Sequence, residues 1–277
     1  MKIAIKLTFI MLTILLFAHC RSKNIDYKDI SIYPTGEDST IIVNKNTWVF
    51  ILAGQSNMAG RANIMAIDTI PNPRILTIDK TGNIIVAKEP IHYYEPTFAG
   101  LDCGLAFGNE LLNHIPDSIS ILILPTAVGG TSIKQWIQNA TFRNVTLFSN
   151  FKEKVIIGKS HGVIKGILWH QGENDALNKE TIDIYDKQLQ TLFSMFRNEI
   201  GNNRLPIIIG ELGTFSDNDD GWQKINEKIK VYIKTDSNAH LISTSDLKDK
   251  GDKIHFDSES QRKLGKRFAE EFNQIRN

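Results

Sequence analysis

Residues 49–61 read VFILAGQSNMAGR, and this stretch decides the fold. Its first four residues are apolar and predict a short buried strand. The small residues Ala53 and Gly54 then allow a sharp turn, so that Ser56 lies where a strand gives way to a helix. A serine there presents its hydroxyl at the carboxyl edge of a sheet, beside a helix N-terminus that favours negative charge. The same residue also suits a helix N-cap. The stretch alone therefore leaves open whether Ser56 is a nucleophile or a helix cap.

Four further apolar runs predict buried strands, and segments with helical spacing separate them. The further predicted strands are Ser120–Pro125, Val163–Trp169, Leu205–Gly210 and Ala239–Thr244. The predicted helices are Leu101–Ile115, residues 146–160, Glu180–Ile200, Gly221–Lys234 and a last helix capped by Ser258. The alternation predicts a three-layer α/β/α sandwich around a mostly parallel, five-stranded sheet.

The segment 61–100 interrupts this alternation. It has no clean period and contains four prolines, Pro71, Pro73, Pro90 and Pro96. We expect a long excursion over the active-site face, with a hairpin around residues 80–83. Loops of this kind usually decide the shape of the substrate that a site accepts.

The first 45 residues differ from the rest of the chain. Lys2 and Lys6 precede an apolar run, Leu7 to Ala18, which predicts an export signal over residues 1–20. Cys20 follows that run and resembles the lipid-attachment site of bacterial lipoproteins, although His19 departs from the small residue usual before it. We expect a periplasmic or cell-surface protein, with any contact to a membrane made through a lipid on Cys20. Residues 21–45 are polar and predict a tether with an irregular lead-in, so the folded domain is expected at 46–277.

Composition excludes several classes of protein. The chain has 277 residues, 42% of them hydrophobic and 23% charged, as in an ordinary globular domain. Its formal net charge of +1 carries no electrostatic signature of nucleic-acid binding. Cys103 is left without a partner once Cys20 is lipidated or removed, and we expect it to be a small buried residue. The histidines show no metal-ligand spacing, and the sequence predicts no metal and no organic cofactor.

Three residues have the chemistry of ester hydrolysis, which requires a nucleophile, a base and a group that orients the base. Ser56 is the candidate nucleophile and His255 the candidate base. Asp252 lies three residues before His255, near enough for its carboxylate to reach the imidazole. The alternatives are a solvent-exposed loop acid for Asp252 and a surface or capping histidine for His255.

Four blocks of sequence, in order, resemble the carbohydrate acetylesterases of the sialate O-acetylesterase and acetylxylan esterase type, a branch of the SGNH hydrolase superfamily. The blocks are residues 54–60 (GQSNMAG), 129–132 (GGTS), 169–173 (WHQGE) and 252–256 (DKIHF). The resemblance spans roughly residues 46–275 and implies the SGNH (flavodoxin-like) α/β fold. It implies a serine esterase that removes O-acetyl groups from a carbohydrate.

The resemblance also implies three donors for the oxyanion of the tetrahedral intermediate. They are the backbone N–H groups of Ser56 and Gly130, with Gly129 the less favoured alternative, and the side-chain amide of Gln171. Glu173 is expected either to orient His255, together with Asp252 or in its place, or to brace the site.

The remaining residues of interest have two interpretations each. Asn57 and Arg61 either brace the nucleophile loop or contact the substrate, and Trp136 is either a sugar platform or part of the core. The competing functions are hydrolysis of another small ester, such as a lipid or aryl ester, and binding of a carbohydrate without catalysis. The sequence leaves the identity of the glycan and the oligomeric state open.

Overall fold

A computed structural model of the protein describes residues 30–34, 40–44 and 46–276. The strands are β1 (Ile30–Pro34), β2 (Thr40–Asn44), β3 (Thr47–Gly54), β4 (Ile75–Ile78), β5 (Ile84–Val86), β6 (Ser120–Pro125), β7 (Thr141–Phe142), β8 (Val145–Thr146), β9 (Val163–His170), β10 (Ile207–Gly210) and β11 (Ala239–Ile242). The α-helices are α1 (Ser56–Ala59), α2 (Gly104–Leu112), α3 (Ile133–Ile137), α4 (Leu147–His161), α5 (Lys179–Asp183), α6 (Tyr185–Ile200), α7 (Asp219–Ile233) and α8 (Ser258–Ile275). Short 3-10 helices lie at Ala66–Thr69 and Asp175–Leu177.

The predicted leader and its candidate lipidation site, Cys20, lie outside the described residues. Within the segment expected to be a tether and lead-in, β1 and β2 pair as an antiparallel two-stranded sheet. No helix in the described part of the chain is long and apolar enough to cross a membrane.

The central sheet has seven strands in the order β11-β10-β9-β3-β6-β4-β5. All neighbours are parallel except β4 and β5, which form an antiparallel hairpin at one edge. The five predicted strands are all present, and the mostly parallel α/β/α fold is confirmed. The predicted number of strands is wrong, because β4 and β5 have only four and three residues and lie in the segment without a clean period.

The hairpin expected around residues 80–83 joins these two missed strands. The Asp79 carboxylate accepts the N–H groups of Thr81 (2.8 Å) and Asn83 (3.0 Å), which closes the turn. Such side-chain capping of a turn is typical of aspartate. The turn was therefore visible in the sequence, although its flanking strands were too short to recognise.

The sheet is buried on both faces. Along β3, Val49 and Ile51 enter one apolar cluster and Phe50 and Leu52 enter the other. Helices α3, α4, α6 and α7 supply the first cluster, while α2 and α8 supply the second. Continuous apolar runs such as β3 are expected of strands covered on both faces.

Two predicted helices begin or divide differently from expectation. The single helix predicted over Glu180–Ile200 is two helices, α5 and α6, which meet at Ile184. The N-cap of α8 is Asp257, whose Oδ1 accepts the Ser260 N–H at 2.7 Å, so Ser258 is the first helical residue and not the cap. Helix α6 ends at Gly201, a C-cap with φ of +75°.

Candidate active site

The chain turns sharply between β3 and α1. Gly54 has φ of +141°, and a Cβ atom there would lie 2.0 Å from the carbonyl oxygen of His170 on the neighbouring β9. Only glycine fits such an approach. Gln55 N–H donates to the same carbonyl at 3.0 Å and occupies the N-cap position of α1. Ser56 is therefore the first residue of the helix, which excludes the N-cap interpretation.

Ser56 faces a cleft of about 710 Å³ at the carboxyl edge of the sheet. The residue is only 6% exposed, yet its hydroxyl forms no hydrogen bond with any part of the chain that the structure describes. His255, Asp252, Gly130 and Glu173 line the same cleft. The structure thus brings together residues that are up to 199 positions apart in the sequence.

His255 is held by Asp252 in a tight loop. The carboxylate accepts the His255 and Ile254 backbone N–H groups on Oδ1, at 2.8 and 3.0 Å, and His255 Nδ1 on Oδ2 at 2.7 Å. Partial burial acts to raise the pKa of Asp252, but the hydrogen bonds from His255 and Ile254 outweigh it and hold that pKa at about 2. Because an ionised carboxylate only accepts hydrogen bonds, Nδ1 carries the proton and Nε2 is left as the basic nitrogen.

Glu173 lies on the cleft but has a different partner. Its Oε1 accepts the side-chain amide of Asn57 at 2.7 Å, and that amide also donates to the carbonyl of Ile254 at 3.0 Å. No hydrogen bond or ion pair joins Glu173 to His255 among the described residues. Of the two interpretations of Glu173, this geometry favours the bracing role.

Asn57 is a brace and not a substrate contact. It is fully buried and absent from the walls of the cleft, and its Oδ1 accepts the Phe256 N–H at 3.0 Å. It therefore joins the nucleophile turn to the loop that carries His255. Of the two interpretations of Asn57, the geometry favours the brace over the substrate contact, because every polar atom of its side-chain amide is bonded within the protein.

The two glycines after β6, Gly129 and Gly130, differ in the hydrogen bonding of their N–H groups. Gly129 N–H donates to Glu95 Oε2 at 2.7 Å, so it is committed to the protein. Gly130 has φ of +77° and lines the cleft, and its N–H, like that of Ser56, has no partner among the described residues. The geometry agrees with the choice of Gly130 over Gly129 as an oxyanion donor.

The side-chain amide of Gln171 is not free to act as the third donor. Gln171 is 0% exposed, and its Nε2 donates to Asp175 Oδ2 (2.6 Å), Thr131 O (3.0 Å) and Gln55 Oε1 (3.2 Å). The donor role expected from the resemblance is therefore corrected. Asn174, three residues later, lines the cleft, and its side-chain amide has no hydrogen bond within the described chain. The only signal for Asn174 in the sequence is its place directly after the WHQGE block.

A pair of arginines lies at one side of the cleft. Arg61 Nη2 and Arg143 Nη1 both bind the buried carboxylate of Glu95, the former at 2.6 Å. Both guanidinium groups lie over the exposed ring of Phe98, at 5.9 and 5.4 Å from its centroid. Burial acts to raise the pKa of Glu95, but the Gly129 N–H and the two arginines lower it overall, so Glu95 stays charged. Arg61 was expected here, whereas Arg143 was missed.

Trp136 belongs to the core. It is 0% exposed, packs edge-on against Trp169 (5.7 Å between ring centroids) and Phe196 (6.0 Å), and donates Nε1–H to Thr131 Oγ1 at 3.1 Å. The sugar-platform interpretation is wrong, because no face of the ring reaches the cleft. His170 is likewise buried and bonded through Nε2 to the Glu211 carbonyl at 3.0 Å.

Among the described residues there is no group of three or more histidine, cysteine, aspartate or glutamate side chains able to hold a metal ion. Cys103 is buried, and burial raises the pKa of its thiol well above the usual value. A thiol in such surroundings is inert.

Comparison with known proteins identifies the family of this chain. The profile of the family described as carbohydrate esterase, sialic acid-specific acetylesterase, matches residues 46–274. The chain belongs to this family. It is 30% identical over 244 residues to the probable carbohydrate esterase At4g34215 of Arabidopsis thaliana, covering 81% of this chain and 89% of that protein. The predicted resemblance to carbohydrate acetylesterases is thereby confirmed.

Solved structures share the architecture of this carbohydrate esterase. The X-ray structure of the Arabidopsis thaliana protein matches with a TM-score of 0.73 at 28% identity, over 82% of this chain and 98% of that one. NanS matches with a TM-score of 0.67 at 17% identity, over 83% and 97% of the two chains. XAC1771, a carbohydrate acetylesterase from Xanthomonas citri, matches with a TM-score of 0.62 at 17% identity, over 83% of this chain and 56% of the XAC1771 chain. At these identities the last two comparisons concern the fold alone.

Proposed function

We propose that this carbohydrate esterase removes O-acetyl groups from an acidic sugar through an acetyl-enzyme intermediate on Ser56. The observation that carries the proposal is the cleft itself. An unbonded serine hydroxyl, a histidine held by an ionised aspartate and two unpaired backbone N–H groups all line it. A binding protein has no need of that set.

The first step is attack of Ser56 Oγ on the acetyl carbonyl. The hydroxyl proton passes to His255 Nε2, since Nδ1 is occupied by its hydrogen bond to Asp252. Asp252 remains ionised and stabilises the imidazolium, and the proton then goes to the departing sugar oxygen. Water, deprotonated by the same nitrogen, attacks the acetyl-serine, and acetate leaves with the free Ser56 hydroxyl restored.

The charge on the tetrahedral intermediate needs donors already aimed at it. The Ser56 and Gly130 N–H groups and the Asn174 side-chain amide supply three, and each is unpaired within the described chain. Ser56 N–H also lies at the N-terminus of α1, which favours negative charge. Removal of one such donor in a serine protease costs about 10²–10³-fold in kcat.

The arginine pair supports an acidic substrate. Arg61, Arg143 and Glu95 together carry one surplus positive charge beside the nucleophile, and the Arg143 side chain is 41% exposed. A guanidinium binds a carboxylate in bidentate fashion, so a sugar acid such as an acetylated sialic acid fits this wall better than neutral xylan. Phe98 offers an apolar face to the sugar ring.

The test is acetate release from a panel of acetylated glycans. Acetylated sialic acid, acetylated xylan, p-nitrophenyl acetate and its longer-chain homologues are compared with wild-type enzyme, Arg143→Gln and Ser56→Ala. We expect the highest kcat/KM for acetylated sialic acid, with a loss on Arg143→Gln for this substrate and not for xylan. A preference for long acyl chains would favour a lipid or aryl esterase, and sugar binding without turnover would favour a silent binding protein.

We also propose export and lipid attachment at Cys20, from the charged start, the apolar run and the cysteine that follows it. Cys20→Ser should move the protein from the membrane fraction to the soluble fraction. A wild-type protein that is already soluble and begins after residue 20 would contradict lipidation.

A further inference from the structure

Gln171 joins all three loops that carry the proposed oxyanion donors. Its Nε2 donates to Gln55, next to Ser56, to the Thr131 carbonyl, next to Gly130, and to Asp175, next to Asn174. Gln55 Oε1 in turn accepts the Asn174 backbone N–H at 3.3 Å. One buried amide therefore connects three segments that are far apart in the sequence.

The orientation of this amide is fixed by its surroundings. The three groups around Nε2 are all oxygens, whereas Gln171 Oε1 lies 2.9 Å from the Tyr185 hydroxyl, which also donates to the Gln171 backbone carbonyl at 2.7 Å. Exchange of the two ends would place an oxygen against three oxygens. A buried polar group left unpaired is costly, so the observed orientation is preferred.

Asp175 anchors the arrangement from the other side. It is 1% exposed, and its Oδ2 accepts both Gln171 Nε2 at 2.6 Å and the Ile133 N–H at 2.9 Å. Ile133 is the first residue of α3, three positions after Gly130. The second oxygen, Oδ1, is buried and has no partner within the described chain. The carboxylate is thus bonded only through the oxygen that ties the two loops together.

We propose that Gln171 and Asp175 are positioning residues that hold the Ser56, Gly130 and Asn174 donors at the spacing required by the oxyanion. This inference rests on the proposed esterase function. It assigns Gln171 a role beneath the oxyanion hole and not within it. It predicts a loss of transition-state stabilisation with substrate binding retained, because neither side chain lines the cleft.

The experiment measures kcat and KM on p-nitrophenyl acetate for Gln171→Met, Asp175→Leu and Asp175→Asn, with folded protein quantified by circular dichroism and thermal melting. Methionine is close to glutamine in size but cannot donate, and leucine is close to aspartate in size but cannot accept. Asparagine keeps an oxygen at the Oδ2 position. The matched control is Asp236→Leu. Asp236 accepts Arg197 Nη1 (2.5 Å) and the Asn238 N–H (3.0 Å), just before β11 begins at the opposite edge of the sheet.

We expect Gln171→Met and Asp175→Leu to lower kcat by about 10²-fold, near the effect of losing one oxyanion donor, with KM changed by less than about threefold. Asp175→Asn should recover most of the rate, and Asp236→Leu should lower the melting temperature without changing kcat. If a leucine or methionine variant fails to fold, Asp175→Asn compared with the other surviving variant decides.

Three results would overturn the inference. They are an unchanged kcat in folded variants, a rise in KM at constant kcat, and a fall in kcat that only follows the folded fraction, as in the Asp236→Leu control. Failure of the proposed function is distinguishable, because Ser56→Ala would then keep the wild-type rate, and that result would overturn both proposals.

Discussion

Two aspartates of this esterase, Asp252 and Asp175, lie at or beneath the cleft, and their pKa values are shifted in opposite directions. Asp252 is partly exposed and accepts two backbone N–H groups and the His255 imidazole, and its pKa is about 2. Asp175 is buried, and burial raises its pKa to about 6 against the lowering effect of the hydrogen bonds from Ile133 and Gln171. Burial is the largest influence on both carboxyls. The number of donors decides which way the pKa moves.

The difference in pKa matches the different tasks that we propose for the two carboxyl groups. In the proposed mechanism, the carboxyl that assists the base must be charged whenever the histidine is neutral, and the low pKa of Asp252 meets that requirement. The carboxyl that holds the loops needs only one accepting oxygen, and Asp175 uses only one. The carboxylate proposed to assist the base therefore lies on a partly exposed loop, while Asp175 beneath the cleft is buried and costly to ionise.

The largest expected effect comes from removing the charge of Asp252. Asp252→Asn should lower kcat by up to about 10⁴-fold, as the corresponding change does in a well-studied serine protease, because the histidine loses its orienting acceptor. Glu173→Gln should lower kcat less and the melting temperature more, since Glu173 is buried against Asn57. Steady-state kinetics and thermal melting of the two variants test this ordering. A folded but inactive Glu173→Gln beside an active Asp252→Asn would reverse it.

A smaller effect concerns stability and pH. A carboxyl whose pKa is raised on folding contributes stability below its unfolded value of about 3.9, and this contribution is lost as the pH rises through the folded value. For Asp175, with a folded pKa of about 6, the loss amounts to about 3 kcal/mol, since one pKa unit corresponds to about 1.4 kcal/mol. The stability of Asp175→Asn relative to wild type should therefore improve by that amount between pH 4 and pH 7.5. Chemical denaturation at both pH values measures the change. A stability difference between Asp175→Asn and wild type that does not vary with pH would contradict a raised pKa for the buried Asp175.

For Asp252 the contribution to stability depends on pH with the opposite sign. Its pKa is lowered on folding, so its contribution to stability is present above about 3.9 and is lost as the pH falls through about 2. The two aspartates thus oppose each other in acid. Their variants should show pH–stability curves that diverge in opposite directions from that of the wild type.

The smallest expected effect distinguishes a core position of Trp136 from a position in the cleft. Trp136→Phe should cost about 2 kcal/mol of stability, through a smaller ring and the lost bond to Thr131. The KM for an acetylated carbohydrate should stay unchanged, because Trp136 is buried against Trp169 and Phe196. A rise in KM without loss of stability would restore the sugar-platform interpretation.

Periodicity predicted most of the fold. Apolar runs long enough to be buried on both faces, such as β3 and β9, stand out from the sequence, whereas β4 and β5 are held in place by neighbours that only the folded chain supplies. Ser56 was recognised because the strand–turn–helix pattern around it is local, and Asp252 and His255 were recognised because only three residues separate them. The geometry does not support the donor role expected of Gln171, and it decides between the two interpretations of Asn57 and of Trp136. The sequence could not make these choices, because each depends on contacts that only the folded chain supplies, such as those of Asn57 with Glu173 and Phe256. Arg143 gave no signal at all, because its partner Glu95 lies 48 residues earlier.

The most direct test of the account is covalent labelling of the nucleophile. A fluorophosphonate reacts with a serine that is activated by a neighbouring base, and mass spectrometry of the digested protein identifies the labelled residue. We predict a single label on the peptide that contains Ser56, no label in Ser56→Ala, and strongly slowed labelling in Asp252→Asn. Labelling of another serine with Ser56 untouched would contradict the central claim.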